Sequence, residues 1–308
     1  MATSVRRCSG TAFAFGVLLL ATACASSPQA PNAGLTTPPT ATSRATPSVT
    51  SSAPTVTNSV TTATTPTTTT TTFTSAPAPA PKPTPNASAP AATAPIQASL
   101  VGRVVSRIPT SSRVVALTFD AGANGDGVGS ILATIARERV AATFFLTGDF
   151  VDSFPALAVR MSAAGRLGNH TASHPHLPTL TDAQVRTEVT STRATFLRIT
   201  GEDPHPLFRF PFGDSGPRDL RMVNDLGYVA VGWTVDTLGW QGTSGGRSVD
   251  SVVRRVLAAA TPGEIVLMHV GSHPTDHSTL DADSLPRVIA GLRAAGYSFV
   301  TLDALGAR

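Results

Sequence analysis

The sequence predicts an α/β fold, a distorted (β/α) barrel of about seven parallel strands, set behind a signal peptide and a long unstructured linker. Three observations predict it. Short apolar runs alternate with stretches of helical periodicity from about residue 98 to the end, which is the signature of parallel βα units. The chemically distinctive residues stand where those runs end, as they do at the carboxyl edge of a parallel sheet. No GxGxxG follows the first run, so a closed sheet suits the pattern better than an open dinucleotide-binding one.

Residues 1–23 read as a lipoprotein signal peptide. Arg6 and Arg7 precede an uncharged apolar stretch from Thr11 to Ala23, too short to span a membrane as a helix. Small residues lead into Cys24, resembling a bacterial lipobox in which that cysteine becomes the lipidated N-terminus; ordinary cleavage near Ala23 is the alternative. Cys8 and Cys24 are the only cysteines, so the domain beyond has neither a disulfide framework nor a cysteine nucleophile or metal ligand.

Residues 24–97 are dominated by Ser, Thr, Pro and Ala, with a threonine run at 67–72 and alternating Ala and Pro at 76–81. Such composition has too little apolar bulk to offset chain entropy. Extended at about 3 Å per residue, roughly 70 residues reach up to about 200 Å, enough to hold a domain out from a surface.

The basic balance of the chain comes from this tail. Of 23 bases, Arg6, Arg7, Arg44 and Lys82 precede residue 97, whereas all 19 acids follow it. The domain at 98–308 is therefore neutral, with no footprint for nucleic acid or an anionic membrane. Its size suits one domain, expected to act as a monomer whose membrane contact is the N-terminal lipid alone.

Seven strands are expected: Val114–Phe119, Ala141–Leu146, Leu167–His170, Leu207–Phe210, Tyr228–Val235, Ile265–His269 and Phe299–Leu302. The clearest helix begins at the capping-box pattern Thr181 to Gln184 and carries Val185, Val189, Phe196 and Ile199 on one face. Two more place Val249, Val252, Val253 and Val256, then Leu285, Val288, Ile289 and Leu292, on apolar faces.

The first strand runs into Asp120, the first acidic residue of the chain, and a Gly-rich loop, Gly122 to Gly127. The third gives His170 and His174, four apart, an arrangement that faces one point if the loop turns once; neutral imidazole is a common zinc ligand. The fourth gives Arg209 between apolar neighbours, a guanidinium that needs a carboxylate if buried. The fifth gives Asp236 between Trp233 and Trp240, indoles on which a sugar ring can stack, and the sixth ends in His269, a candidate general acid beside a carboxylate.

Taken together, TFDAG, HTASHP, RFPFG, the segment from Asp236 to Trp240 and LMH resemble, in order and spacing, the five motifs of the polysaccharide deacetylases, the NodB-homology group of carbohydrate esterase family 4. The resemblance covers Arg113 to Leu302. It implies metal-dependent hydrolysis of an N-acetyl group on an amino sugar. It makes Asp120 the general base, Arg209 the residue that orients it, His269 the general acid and Asp236 the group that tunes that acid. His170 and His174 become ligands of a divalent ion, zinc with cobalt or manganese as alternatives. The backbone at Phe212 helps hold the oxyanion, and Trp240 and Leu267 line the pocket.

One position departs from the family pattern. Its first motif usually reads TFDDG, the second aspartate completing the metal site; here that position is Ala121. Asn124 and Asp126 in the same loop, or His273, Asp276 and His277 after the sixth strand, are candidate substitutes. The location expected for the chain, outside the cytoplasm on a bacterial membrane, makes peptidoglycan the expected polymer, through N-acetylglucosamine or N-acetylmuramic acid. The competing reading is a wall-glycan-binding domain of weak or no activity. A serine esterase built on the GxSxG at 242–246 is a third, disfavoured because that serine sits in a Gly-rich loop past the strand.

Overall fold

The computed structural model describes residues 96–306; the residues read from sequence as signal peptide, Cys24 and nearly all of the expected linker lie outside them. Among the described residues no helix is long and apolar enough to cross a membrane. The strands are β1 (Val114–Ala121), β2 (Ala142–Leu146), β3 (Arg166–Asn169), β4 (Leu207–Phe208), β5 (Val229–Ala230), β6 (Val235–Asp236), β7 (Glu264–His269) and β8 (Ser298–Phe299). Every pairing between them is parallel, in the order β5-β4-β3-β2-β1-β7-β6, with β8 added to the start of β1.

The expected fifth strand divides in two. Val229 and Ala230 pair with β4 at one edge of the sheet, while Val235 and Asp236 pair with β7 at the other. Four residues, 231–234, thus carry the chain from edge to edge, so the sheet curls almost onto itself. The N-terminal segment fills this seam: Val105 bridges Val231, and a Cβ on Gly232 would stand 2.8 Å from Val104 and 3.0 Å from the Ser106 hydroxyl. Four residues would not reach across an open sheet, which is why the curl and the short connection occur together.

Helices α1 (Val128–Glu138), α2 (Gly148–Ser153), α3 (Pro155–Ala164), α4 (Asp182–Ile199), α5 (Pro217–Asp225), α6 (Val249–Ala259) and α7 (Leu280–Ala294) connect the strands. Helix α4 starts where its capping box predicts: the Thr181 hydroxyl accepts from the Gln184 amide, and the Gln184 side chain accepts from the Thr181 amide at 2.9 Å. Reciprocal caps of this kind satisfy donors that a helix end otherwise leaves bare.

Strand residues alternate between the barrel interior and the helix-covered clusters outside it. Val115, Leu117, Phe119, Val266 and Met268 point outward and pack with Ile131, Val256, Leu285 and Val288 of the helices. Ala116, Phe145, Leu207, Val229 and Ile265 fill the barrel interior with Leu100, Val105 and Leu302. The same alternation carries Asp120, Arg209, Leu267 and His269 onto the interior face one or two steps further along. Apolar floor and polar rim therefore come from one strand period.

Candidate active site

A cavity of about 630 Å³ opens at the carboxyl edge of the sheet, a volume suited to one or two sugar rings. Asp120, His170, His174, Phe212, Asp236, Trp240, Leu267 and His269 all line it, and Arg209 lies directly beneath. Asp120 and His269 are register partners on β1 and β7. Leu267, 4% exposed, pairs with Thr118 and Asp236 on either side.

Arg209 is fully buried, and each of its three side-chain nitrogens has an acceptor. One Nη1–H donates to Asp120 Oδ1 at 2.7 Å, Nη2 to the Gly232 carbonyl at 3.1 Å, and Nε to the Val231 carbonyl at 3.3 Å. The guanidinium thus ties the base candidate to the backbone seam where the barrel closes. Its Cζ lies 4.1 Å from the Phe145 ring centroid. That ring needs Gly168 beside it, since a Cβ there would meet Phe145 at 2.5 Å. Burial by itself pushes the Asp120 carboxyl upward, but Arg209, His170 and His269 outweigh it and hold it below the usual carboxylate range.

The two histidines meet because the loop after β3 is clamped. The Glu188 carboxylate accepts from the Ala172 and Ser173 amides at 2.8 and 2.9 Å, and Thr171 and His174 adopt left-handed φ of 67° and 61°. Their rings stand 4.8 Å apart, edge to face. His170 Nδ1 is 2.9 Å from the Arg209 carbonyl, so Nδ1 carries the proton and Nε2 keeps its lone pair. Nε2 in turn lies 3.4 Å from Asp120 Oδ2. A lone pair facing a carboxylate in a buried place calls for a cation between or beside them. His174 is held neutral as well, its pKa pushed down to about 4, chiefly by burial.

The donor set thus fits a divalent ion held by two imidazoles, with Asp120 adjacent. Among the described residues no three His, Cys, Asp or Glu side chains form an ion cage by themselves. Ala121 is buried beside Asp120 and lines the cavity without supplying a ligand. None of the substitutes suggested by the sequence, Asn124, Asp126, His273, Asp276 and His277, is among the residues lining the cavity, and the first four are engaged elsewhere. Asn124 exchanges hydrogen bonds with the Ser272 backbone, and Asp126 accepts from the Ser272 hydroxyl. Asp276 accepts from the Thr243 hydroxyl and from the Ser278 amide and hydroxyl, clasping two loops together. Ser244 Oγ and Asp276 both address Nδ1 of His273, at 3.4 and 3.5 Å, so no proton relay from serine through imidazole to carboxylate exists there.

Asp236 turns its carboxylate to the Leu238 amide at 2.8 Å and the Trp240 indole N–H at 3.3 Å. It fixes Trp240, which is half-exposed on the cavity wall with its rings 6.4 Å from His269. Phe212 is 59% exposed and left-handed at φ 59°, stacked on His176 with centroids 4.0 Å apart. Such strain in a non-glycine residue is characteristic of functional loops.

Two carboxylates near the site escaped the sequence reading. Asp149, at the start of α2, is exposed on the cavity rim. Asp281, in the first turn of α7, is 3% exposed and accepts from the His269 amide at 2.8 Å. A signal for Asp281 was present: it stands in helical phase with Leu285, Val288 and Leu292, a charge on an apolar stripe.

A carboxylate and an imidazole side by side at the open end of a (β/α) barrel, with two more imidazoles adjacent, is an arrangement suited to hydrolysis. Comparison with known proteins agrees. The sequence profile of the polysaccharide deacetylase family matches residues 107–231. A peptidoglycan-N-acetylglucosamine deacetylase of Bacillus cereus is 33% identical over 198 residues, 64% of this chain and 70% of its own length. Among solved structures, the Bc1960 peptidoglycan N-acetylglucosamine deacetylase superposes with a TM-score of 0.60 at 32% identity, covering 66% of this chain and 92% of its own. BA3943, a carbohydrate esterase family 4 pseudoenzyme from Bacillus anthracis, superposes with a TM-score of 0.60 at 25% identity, covering 66% of this chain and 69% of its own. The chain belongs to the polysaccharide deacetylase family, carbohydrate esterases that hydrolyse N-acetyl groups on sugars.

Proposed function

We propose that this chain is an exported peptidoglycan deacetylase, anchored through a lipid on Cys24 and held out by the linker at 24–97, with its catalytic domain at 98–308. The observation that carries the reading is the register pairing of Asp120 with His269 across one wall of the cavity.

In this reading a glycan strand lies in the cavity with a sugar ring against Trp240 and the acetyl methyl toward Leu267. Asp120, kept ionised by Arg209, takes a proton from the water whose oxygen attacks the amide carbonyl. His269, protonated, gives its proton to the amine nitrogen as the C–N bond breaks, releasing acetate and a free amino sugar. The backbone at Phe212 receives the developing oxyanion. His170 and His174 are the residues that would hold a divalent ion, zinc being the choice that fits imidazole ligands, and the bound ion would polarise the acetyl oxygen.

Purified protein is expected to release acetate from bacterial peptidoglycan, with N-acetylglucosamine or N-acetylmuramic acid as the deacetylated sugar. Acetate release from chitin or xylan oligomers alone would overturn the choice of polymer. Ala121 favours a second reading, a wall-glycan-binding domain with little turnover. Retention on peptidoglycan without acetate release, at saturating zinc, would establish that reading instead.

A further inference from the structure

We propose that Asp281 of α7 is the positioning residue that holds the His269 imidazole with one nitrogen toward the helix and the other toward the cavity, and that position 239 is glycine to admit it. The proposal rests on the hydrolase reading above for its catalytic consequence, though not for the pairing itself.

Three geometric facts converge. Asp281 is buried on the apolar face of its helix, where an ionised carboxylate requires a polar partner. Its Oδ2 accepts the His269 backbone amide at 2.8 Å and lies 3.7 Å from His269 Nδ1. His269 Nδ1 and Asp281 Oδ1 are both buried without a hydrogen-bond partner. An unsatisfied, donor-capable nitrogen thus faces a carboxylate whose second oxygen is also unsatisfied. A modest turn of the ring or carboxylate joins them.

Gly239 supplies the room. A Cβ at that position would stand 2.3 Å from Asp281 Oδ1, 2.6 Å from Cγ and 2.9 Å from Oδ2. The backbone of Gly239 is not left-handed, unlike that of Gly242 or Gly246, so its conformation does not demand glycine. The space does.

The other groups around His269 are committed elsewhere. Asp120 on β1 is bound by Arg209 and faces His170, and Asp236 on β6 holds the Leu238 amide and Trp240. Burial lowers the basicity of His269, and Asp281, followed by Asp120 and Asp236, more than restores it. The His269 side chain is 30% exposed although its Nδ1 is buried, so the open edge is the Nε2 edge. With Nδ1–H directed to Asp281, the transferable proton sits on Nε2 in the cavity.

The test follows the His269 ring by NMR titration without substrate, beside acetate-release kinetics, in wild type, Asp281→Asn, Gly239→Ala and Asp236→Asn. Asp281→Asn is expected to move the ring titration to lower pH, by about one unit or more, and to shift the alkaline limb of kcat the same way. A kcat loss of about tenfold or more, with KM nearly unchanged, is expected of a lost acid-positioning contact. Gly239→Ala, which keeps the aspartate but displaces it, is expected to give the same downward shift and serves if Asp281→Asn fails to fold. A His269 titration unchanged in both variants, or moved only by Asp236→Asn, would overturn the proposal. Wild type that releases no acetate would sink the hydrolase reading alone, because the titration reports the pairing without turnover.

Discussion

Asp120 and His269 occupy paired positions on neighbouring parallel strands, and their surroundings drive their proton affinities in opposite directions. Asp120 is held below the ordinary carboxylate range and His269 above the ordinary imidazole range. In the proposed mechanism, a base that must be ionised and an acid that must be protonated are then both competent across a wide interval. The expected kcat/KM profile is a broad bell whose acid limb belongs to Asp120 and whose alkaline limb belongs to His269. Asp120→Asn is expected to lower kcat by about 10²–10⁴-fold, measured as acetate release across pH. A profile with its alkaline limb below pH 6 would contradict the assignment of His269.

Arg209 links that chemistry to the fold. It bridges Asp120 to the carbonyls of Val231 and Gly232 at the barrel seam. Replacing it with methionine strands a buried carboxylate, a change that costs about 3–5 kcal/mol in comparable buried pairs. Removing the neighbouring positive charge also raises the Asp120 pKa, so the acid limb of the profile is expected to move to higher pH. Thermal unfolding and the pH–rate profile of Arg209→Met check the two effects separately. Lysine keeps the charge but not the three-way fork, so Arg209→Lys is expected to retain the limb better than the rate.

The metal-binding question centres on Ala121. Two neutral imidazoles present free nitrogens, and the adjoining strand position offers only a methyl group. Ala121→Asp is expected to tighten zinc binding by about tenfold or more, read by calorimetry or by competition with a chelator. Without metal the same variant is expected to unfold at lower temperature than wild type, because the new carboxylate is buried beside Asp120. Zinc is expected to reverse that loss. Zinc affinity equal to wild type would show that any ion sits away from residue 121. With His174 titrating at about 4, proton competition at that ligand is expected to weaken binding mainly in acid.

The barrel was legible because its determinants are local: apolar strand runs, a capping box at Thr181, and reactive residues at strand ends. The break between Ala230 and Val235 was not. The run from Tyr228 to Val235 is apolar with only Gly232 and Thr234 interrupting it, and nothing within it says that its halves join opposite edges. That depends on sheet curl and on the distant segment around Val104 to Ser106. That the motif residues after β1, β3, β4 and β7 gather at one cavity followed from their places at strand ends. The carboxylate next to His269 was not, since Asp281 comes from a helix 12 residues later and reaches the ring only through the space that Gly239 leaves.

Glu264 gives a prediction remote from the cavity. It opens β7, is fully buried, and neither of its carboxylate oxygens has a hydrogen-bond partner. Burial raises its pKa from 4.5 to about 7. The folded state therefore holds a proton that the unfolded chain releases near 4.5. Stability from this group is full below that value, declines as pH climbs, and is lost once pH passes about 7. The span corresponds to roughly 3 kcal/mol at 1.36 kcal/mol per unit. Glu264→Gln removes the ionisation while keeping the shape. Its melting temperature is expected to exceed that of wild type at pH 8, with the difference shrinking toward zero at pH 5. Denaturant unfolding at the two pH values checks it; a gain of equal size at both would show that side-chain polarity, not charge, is what the core resists.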